Sequence, residues 1–305
     1  MVTQSNCHET LFAAWREHLG AQWAEPLPQQ PGSPNNHFAV FAKPGERPTY
    51  FIKVVSAVRC FRREGIACRF LSERGFPHLA IRGEGSVFPH LFWRAFDWLS
   101  GQPFTPASLQ EVAEAGHVLG RLHRTSAEAP PEELHRYRSL TDALELMLGR
   151  MAKTAPAAFA EVAPVVARVR RLYPSVQAFD ETQPMVLLHG DFGWRNLFQR
   201  DDGMLVLLDY EHAAVGPAWL DLAKCMDREL RVPKNLSWFA RGYEETAGVG
   251  LTEPPDPYTI CLRFWVAAGI LLFVSKHVDE SFAEHGRYIL RQVKRDLGLV
   301  QGGAG

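Results

Sequence analysis

The sequence predicts an α+β chain in which a small strand-rich N-terminal part joins a larger, mostly helical C-terminal part. Three observations carry this. Strand-type apolar runs bounded by Pro/Gly turns crowd the first hundred residues. Helical periodicity with proline-marked breaks dominates after Gly101. A compact β-rich segment, Met185 to Asp209, then interrupts the helices.

Taken in order, residues 8–24 read as a short amphipathic helix, followed by a Pro/Gln/Gly/Ser/Asn-rich stretch from Glu25 to Asn36. Two strand-like runs, His37–Lys43 and Thr49–Val55, flank the turn residues Pro44-Gly45-Glu46-Arg47-Pro48 and predict a hairpin. Ala57 to Arg74 carries Phe61, Cys68 and Leu71 among arginines and glutamates, a helical pattern that Gly75-Phe76-Pro77 ends. Further strands are predicted at Leu79–Arg82 and Val87–Phe96. Beyond Gly101, helices are predicted over 106–126, 132–151 and 157–179, with Pro130-Pro131 and Pro156 as breaks. Strands follow at Met185–His189, Asn196–Gln199 and Leu205–Asp209, and from Ala218 onward the chain reads as largely helical. The expected division is an N-terminal lobe over residues 1–96 and a C-terminal lobe over 97–305, joined near 95–101 with a cleft between them.

The 305 residues are 46% hydrophobic, enough for a sizeable core, and a net charge of -1 gives no global pull toward nucleic acid or a membrane surface. Arg168, Arg170 and Arg171 read as a solvated helix face. The cysteines, Cys7, Cys60, Cys68, Cys225 and Cys261, are odd in number, widely spaced and without a CxxC pair, so a reducing cytoplasm is expected rather than a disulfide framework or zinc site. No basic stretch precedes Leu11–Trp15, so no secretory signal is expected. The apolar run Phe264–Val274 is too short to span a bilayer. No nucleic-acid or membrane partner is expected.

The chemistry is concentrated in His189-Gly190-Asp191-Phe192-Gly193-Trp194-Arg195-Asn196 and in Leu205-Val206-Leu207-Leu208-Asp209-Tyr210-Glu211. A strand delivers Asp191 onto a loop that Asn196 closes, and a tight hairpin sets Asp209 at the end of the next apolar strand. Two carboxylates and an amide oxygen are hard ligands of the kind Mg²⁺ prefers. A carboxylate near an incoming hydroxyl can orient it and accept its proton. Singly, each of these residues would pass for a cap or turn residue; bracketed by apolar strands, they form a set. Lys53, within Tyr50-Phe51-Ile52-Lys53-Val54-Val55, is an independent signal, because a lysine in an apolar strand is costly unless paired.

His-Gly-Asp, four residues, Asn, then a strand ending in Asp resembles the signature of the aminoglycoside phosphotransferase and choline kinase superfamily. Gly216-Pro217 and Asp221-Leu222-Ala223 resemble that family's continuation. The resemblance covers roughly Gly32 to Ala223. It implies a protein-kinase-like two-lobed fold and transfer of a phosphoryl group from ATP, with Mg²⁺, to a hydroxyl of a small molecule. Residue by residue it implies Asp191 as catalytic base, Asn196 and Asp209 as metal ligands, Asp221 as a brace for the catalytic loop and His189 as a structural partner in it. It implies Lys53 on the nucleotide phosphates, paired with Glu64 of the next helix; Glu73 is the competing partner. Ser33 and Asn35 fall where the family has its phosphate-covering loop, although no GxGxxG pattern is present. Phe96 and Trp98 fall in the segment whose backbone binds adenine. Arg195 is a candidate to stabilise the transferring phosphoryl group.

This chain departs from the family in having Gly193 where many members have His, Trp194 beside it, and Tyr210-Glu211 after the metal-binding Asp. The acceptor stays open among aminoglycoside, amino alcohol and sugar-like compounds. The C-terminal part has no acidic excess, and its aromatics (Trp219, Trp238, Phe239, Tyr243, Phe264, Trp265) suit a core as well as a cation box. Two other readings share the residues: a catalytically silent nucleotide-binding module, and a phosphohydrolase using His189, Asp191, His212 and Asp209.

Overall fold

A computed structural model describes residues 4–28, 35–43, 45–226, 228–249, 251, 253–277 and 279–299, with backbone alone for 4–7. In chain order it begins with α1 (Gln4–Leu19), β1 (Trp23–Pro26), β2 (Asn36–Phe41), β3 (Tyr50–Val55), α2 (Val58–Glu73), β4 (Ile81–Phe88), β5 (Leu91–Asp97) and β6 (Gly101–Pro103). Helices α3 (Leu109–Ala127), α4 (Leu140–Thr154), α5 (Pro156–Arg170) and α6 (Tyr173–Asp180) follow. Then come β7 (Met185–Leu188), β8 (Leu197–Arg200), β9 (Leu205–Leu207), β10 (Ala214–Pro217), α7 (Ala223–Met226), α8 (Pro233–Ala247), α9 (Asp256–Val274) and α10 (Glu280–Asp296). The predicted class stands: a β-sheet N-terminal region and a helical C-terminal region. The chain forms two compact units, Met1–Thr105 with Trp194–Ala213, and Pro106–Gly193 with Ala214–Gly305.

The first unit is built on an antiparallel sheet of order β1-β2-β3-β5-β4. Alternate residues of its strands, Phe38, Val40, Ile52, Val54, Trp93 and Ala95, meet Leu11 and Trp15 of α1 in one apolar cluster. Fully burying a side chain of this size contributes about 1.5–3 kcal/mol. Two expectations are corrected here. The first helix stops at Leu19 rather than 24, because Gly20 turns to φ +67° and releases the chain to pair as β1. The strand expected over Val87–Phe96 is divided by a turn at Pro89-His90, and β4 already starts at Ile81. Gly83 and Gly85 argue against a strand by composition, yet the Trp93 indole lies across both: a Cβ at Gly85 would sit 2.9 Å from Trp93 Nε1. A three-stranded sheet of order β6-β8-β9 completes this unit.

In the second unit β7 pairs with β10, and α3 packs on α8 so closely that a Cβ at Gly116 would strike the Phe239 carbonyl and one at Gly242 that of Ala113. Ser108 and Glu111 form a capping box that starts α3, a device worth about 1 kcal/mol. The helix predicted over 132–151 starts only at Leu140, where the Ser139 hydroxyl accepts from the Asp142 N–H. The one predicted over 157–179 is two helices, α5 and α6, parted at Arg171-Leu172 ahead of Pro174. Arg170 of the basic cluster forks onto the Glu145 carboxylate at 2.8 Å. Helix α9 extends N-terminal of the expected apolar run and, by length and composition, is long enough to cross a membrane. It packs instead as a core helix against α4, α5, α6 and α10, burying among others Cys261, Phe264, Ala267 and Leu271. Cys60, Cys68, Cys225 and Cys261 are free thiols.

Candidate active site

In the first unit the chemistry collects around Lys53. Strand β3 is central, flanked by β2 and β5, so its polar residue is carried into the interior, with a side chain 5% exposed. The ammonium lies 3.1 Å from Glu64 Oε1, 2.6 Å from Asp209 Oδ1 and 3.0 Å from Glu211 Oε2. Burial alone would lower the lysine pKa; the carboxylates of Glu64, Asp209 and Glu211 outweigh it and hold it raised, so the ammonium stays charged. Glu64 is the helical partner. Glu73 sits at the end of α2, exposed beside Arg74.

Asp209 follows β9 in a left-handed turn, φ 65°, and is the one non-glycine residue with positive φ among the described residues. That conformation costs an aspartate about 1 kcal/mol, and its carboxylate bonds to Lys53. Asn35 donates from Nδ2 to Glu211 Oε2 at 2.8 Å. His37, the register partner of Lys53, has a lowered pKa, first through burial and then through the lysine charge opposite it. Asn196 closes a short 3-10 turn over Trp194–Asn196; it is buried, and its carbonyl accepts from Leu208 N at 2.8 Å, one residue before Asp209. Arg195 is exposed on the same turn. Phe96 is buried in β5 with its ring 6.3 Å from Phe51, and Trp98 donates its backbone N–H to Thr49 O at 3.0 Å. Ser33 lies outside the described residues.

The second unit holds Asp191, buried, with Lys224 Nζ 2.6 Å from its Oδ1. The loop that carries it is fixed from beneath by Asp221. Asp221 Oδ2 accepts from His189 N at 2.8 Å, and its Oδ1 accepts from Gly190 N at 2.6 Å. Gly190 turns at φ +77°, which an L side chain rarely adopts. Asp221 Oδ2 also lies 3.1 Å from His123 Nε2, whose Nδ1 is 2.9 Å from the Tyr243 hydroxyl. His189 Nδ1 accepts from Asp191 N at 3.3 Å, a scaffold contact inside the loop. Against Gly193 lie Glu229 and Arg228: a Cβ there would be 2.8 Å from Glu229 Oε1 and 3.2 Å from Arg228 Nη2.

Lys53, Glu64, Asp209 and Asn35 thus form one cluster, with Asn196 tied to it through the backbone. Asp191 is organised separately by Asp221 and Lys224. Sequence reasoning passed over Arg94, Lys224, Arg228 and His123. Arg94 carried a visible signal, since a charge inside Phe92-Trp93-Arg94-Ala95-Phe96 is as anomalous as Lys53 in its own strand.

The implied metal can be tested against the donor set. One ammonium faces three carboxylates, leaving an excess of negative charge and hard oxygen donors at Asp209 and Glu211. Mg²⁺ favours such ligands, usually one or two carboxylates completed by phosphate and water. The residues fit it.

The model of a family described as "Phosphotransferase enzyme family" matches residues 11–253. No curated protein matches the sequence. Among solved structures, choline kinase LicA from Streptococcus pneumoniae is similar at 13% identity and a TM-score of 0.69, covering 95% of this chain and 99% of that one. Spectinomycin phosphotransferase APH(9)-Ia in complex with ADP and spectinomycin gives 16% identity and 0.59, covering 97% and 94%. A thermostable mutant of aminoglycoside phosphotransferase APH(4)-Ia, with ADP and hygromycin B, gives 15% and 0.64, covering 97% and 100%. At these identities the likeness is one of fold.

Proposed function

The chain belongs to the phosphotransferase enzyme family, and from that premise we propose that it moves the γ-phosphoryl group of ATP, with Mg²⁺, to a hydroxyl of a small molecule. The observation that carries this reading is the Lys53 ammonium held at once by Glu64, Asp209 and Glu211. A permanently charged, aimed ammonium beside surplus carboxylates is equipment for binding phosphate together with a divalent cation. In this reading Lys53 grips the nucleotide phosphates and Glu64 orients it. Asp209 and Asn196 hold the metal, and Glu211 adds a third oxygen donor. Mg²⁺, when bound, supplies charge neutralisation for the phosphoryl group. Ser33 and Asn35 belong to the phosphate-covering segment, and the backbone around Phe96 and Trp98 to the adenine site. Residues 1–96 serve as the nucleotide lobe and 97–305 as the catalytic and acceptor lobe.

Asp191 orients the acceptor hydroxyl and takes its proton, and Arg195 steadies charge on the transferring group. An aminoglycoside, amino alcohol or sugar-like compound is the acceptor class we propose. The chain's free thiols suit a reducing cytoplasm. The test is an ATP-consumption screen over amino alcohols, aminoglycosides, sugars, nucleosides and hydroxy-amino acids, run with wild type and Asp191→Asn. An acceptor turned over by wild type and not by the variant is expected. Turnover unchanged in Asp191→Asn would sink the mechanism, and nucleotide binding without turnover of any acceptor would favour a silent binding module.

A further inference from the structure

Lys53 and Arg94 are direct partners in the antiparallel β3–β5 register, so two cations project from the same face of adjacent strands. Like charges directly opposite destabilise a strand pair, and here both are buried, Arg94 at 1% exposure. Glu64 resolves the conflict by bridging them: Oε1 accepts from Lys53 at 3.1 Å and Oε2 from Arg94 Nη1 at 2.9 Å. The remaining guanidinium donors are also engaged. Nε and Nη2 reach Glu84 Oε2 at 3.0 and 2.8 Å, Nη2 also reaches the Phe61 carbonyl at 2.8 Å, and the Phe61 ring lies 4.1 Å away.

Helix α2 is shaped around this group. A Cβ at Gly65 would lie 2.6 Å from Arg94 Nη2. The guanidinium is pinned on several sides and has nowhere to withdraw, which accounts for a glycine in mid-helix, where that residue is otherwise disfavoured. The other two carboxylates on Lys53, Asp209 and Glu211, both come from the segment after β9. Without Arg94, Glu64 loses the bond that sets the plane of its carboxylate, and those two acids become the better-fixed anchors of the ammonium.

We propose that Arg94 is a positioning residue that acts through Glu64 to fix the Lys53 ammonium for phosphate binding, with Gly65 making room for it. This rests on the nucleotide-binding role given to Lys53 above.

A double-mutant cycle on the full chain tests it, using Arg94→Met, Glu64→Gln and the pair, with Arg94→Lys as the conservative variant. The first readout is the acetylation rate of Lys53 in nucleotide-free protein, and the second is the Kd for Mg-ADP. Arg94→Met is expected to change both, on the order of tenfold, and to change neither further in the Glu64→Gln background. Arg94→Lys should recover part of each. Wild-type labelling in Arg94→Met, or fully additive effects in the pair, would overturn the proposal. If Arg94→Met does not fold, Gly65→Ala crowds the guanidinium against its partners while keeping every charge, and must move both readouts the same way. If wild type binds no nucleotide, the assigned function falls, while the Lys53 labelling cycle still decides the role of Arg94.

Discussion

Lys224 donates from Nζ to Asp191 Oδ1 at 2.6 Å, three residues after Asp221 binds the His189 and Gly190 N–H groups of the same loop. One short segment therefore holds both the backbone of the loop and the carboxylate it presents. An ionised carboxylate with an 11% exposed side chain needs such a partner, and Lys224, 38% exposed, retains contact with water. Lys224→Met is expected to lower kcat about tenfold, with Lys224→Arg between it and wild type. Asp191→Asn should cost about 10²–10⁴-fold and leave the melting temperature near that of wild type. Steady-state kinetics and thermal melts check both. A Lys224→Met enzyme with wild-type kcat would show that the pair does not serve the role proposed for Asp191.

Lys53→Met removes the ammonium from among Glu64, Asp209 and Glu211 and leaves their charges facing one another. Breaking a buried pair from one side costs about 3–5 kcal/mol, and Asp209, more exposed at 39%, places the expected loss toward the lower end. The uncompensated acids should then seek another cation. Mg²⁺ without nucleotide is expected to raise the melting temperature of Lys53→Met more than that of wild type, as differential scanning fluorimetry would show. An equal response in the two proteins would mean these carboxylates do not hold the metal.

What was legible in the sequence follows from what each signal measures. Lys53 stood out because a charge inside an apolar strand requires a partner, whereas Glu64 came from the family resemblance and not from a local signal. The 189–209 segment stood out because its polar residues have fixed spacing between apolar strands. Contacts brought from distant parts of the chain left no local trace. Nothing beside Lys224 in the sequence points to Asp191, 33 residues away, and nothing beside Glu229 points to Gly193. The left-handed turn of Asp209 is a backbone property that no neighbouring glycine announces. Strand β4 was misjudged for a related reason: its glycines answer to Trp93 on another strand, and composition does not record what lies above a residue.

Asp180 supplies a stability prediction apart from the site. Burial raises its carboxyl to about 6, even though Oδ2 accepts from Leu140 N at 2.6 Å. The folded-state value lies above the ordinary carboxylate value, so the folded chain binds the extra proton between about pH 4 and 6. Stability is therefore expected to fall as pH rises through that window, with the full penalty, roughly 2–3 kcal/mol, present above it. Asp180→Asn keeps an acceptor for Leu140 and carries no charge. Urea unfolding at pH 4.5 and 7.5 should show the variant gaining stability over wild type chiefly at the higher pH. A gain of equal size at both values would assign the effect to something other than this carboxyl.

Gly193, two residues after the proposed base Asp191, offers a test that removes no functional group. Its φ is not in the left-handed region, so alanine is compatible with the backbone and acts only through the space it takes. That space is occupied: the new methyl would stand 2.8 Å from Glu229 Oε1 and 3.2 Å from Arg228 Nη2. Neither residue yields easily. Glu229 N donates to Cys225 O at 2.9 Å, Arg228 Nε donates to Lys224 O at 3.1 Å, and the Glu229 side chain is only 12% exposed. Overpacking of this kind costs about 1–3 kcal/mol. Because Arg228 is bonded to Lys224, the strain is directed toward the partner of Asp191. Gly193→Ala is therefore expected to alter acceptor KM and kcat several-fold while leaving the Kd for Mg-ADP unchanged. Glu229→Ala in the same background should restore part of the loss by vacating the contested space. Unchanged acceptor kinetics in Gly193→Ala would remove Glu229 and Arg228 from the acceptor side and leave their contact with this loop a matter of packing.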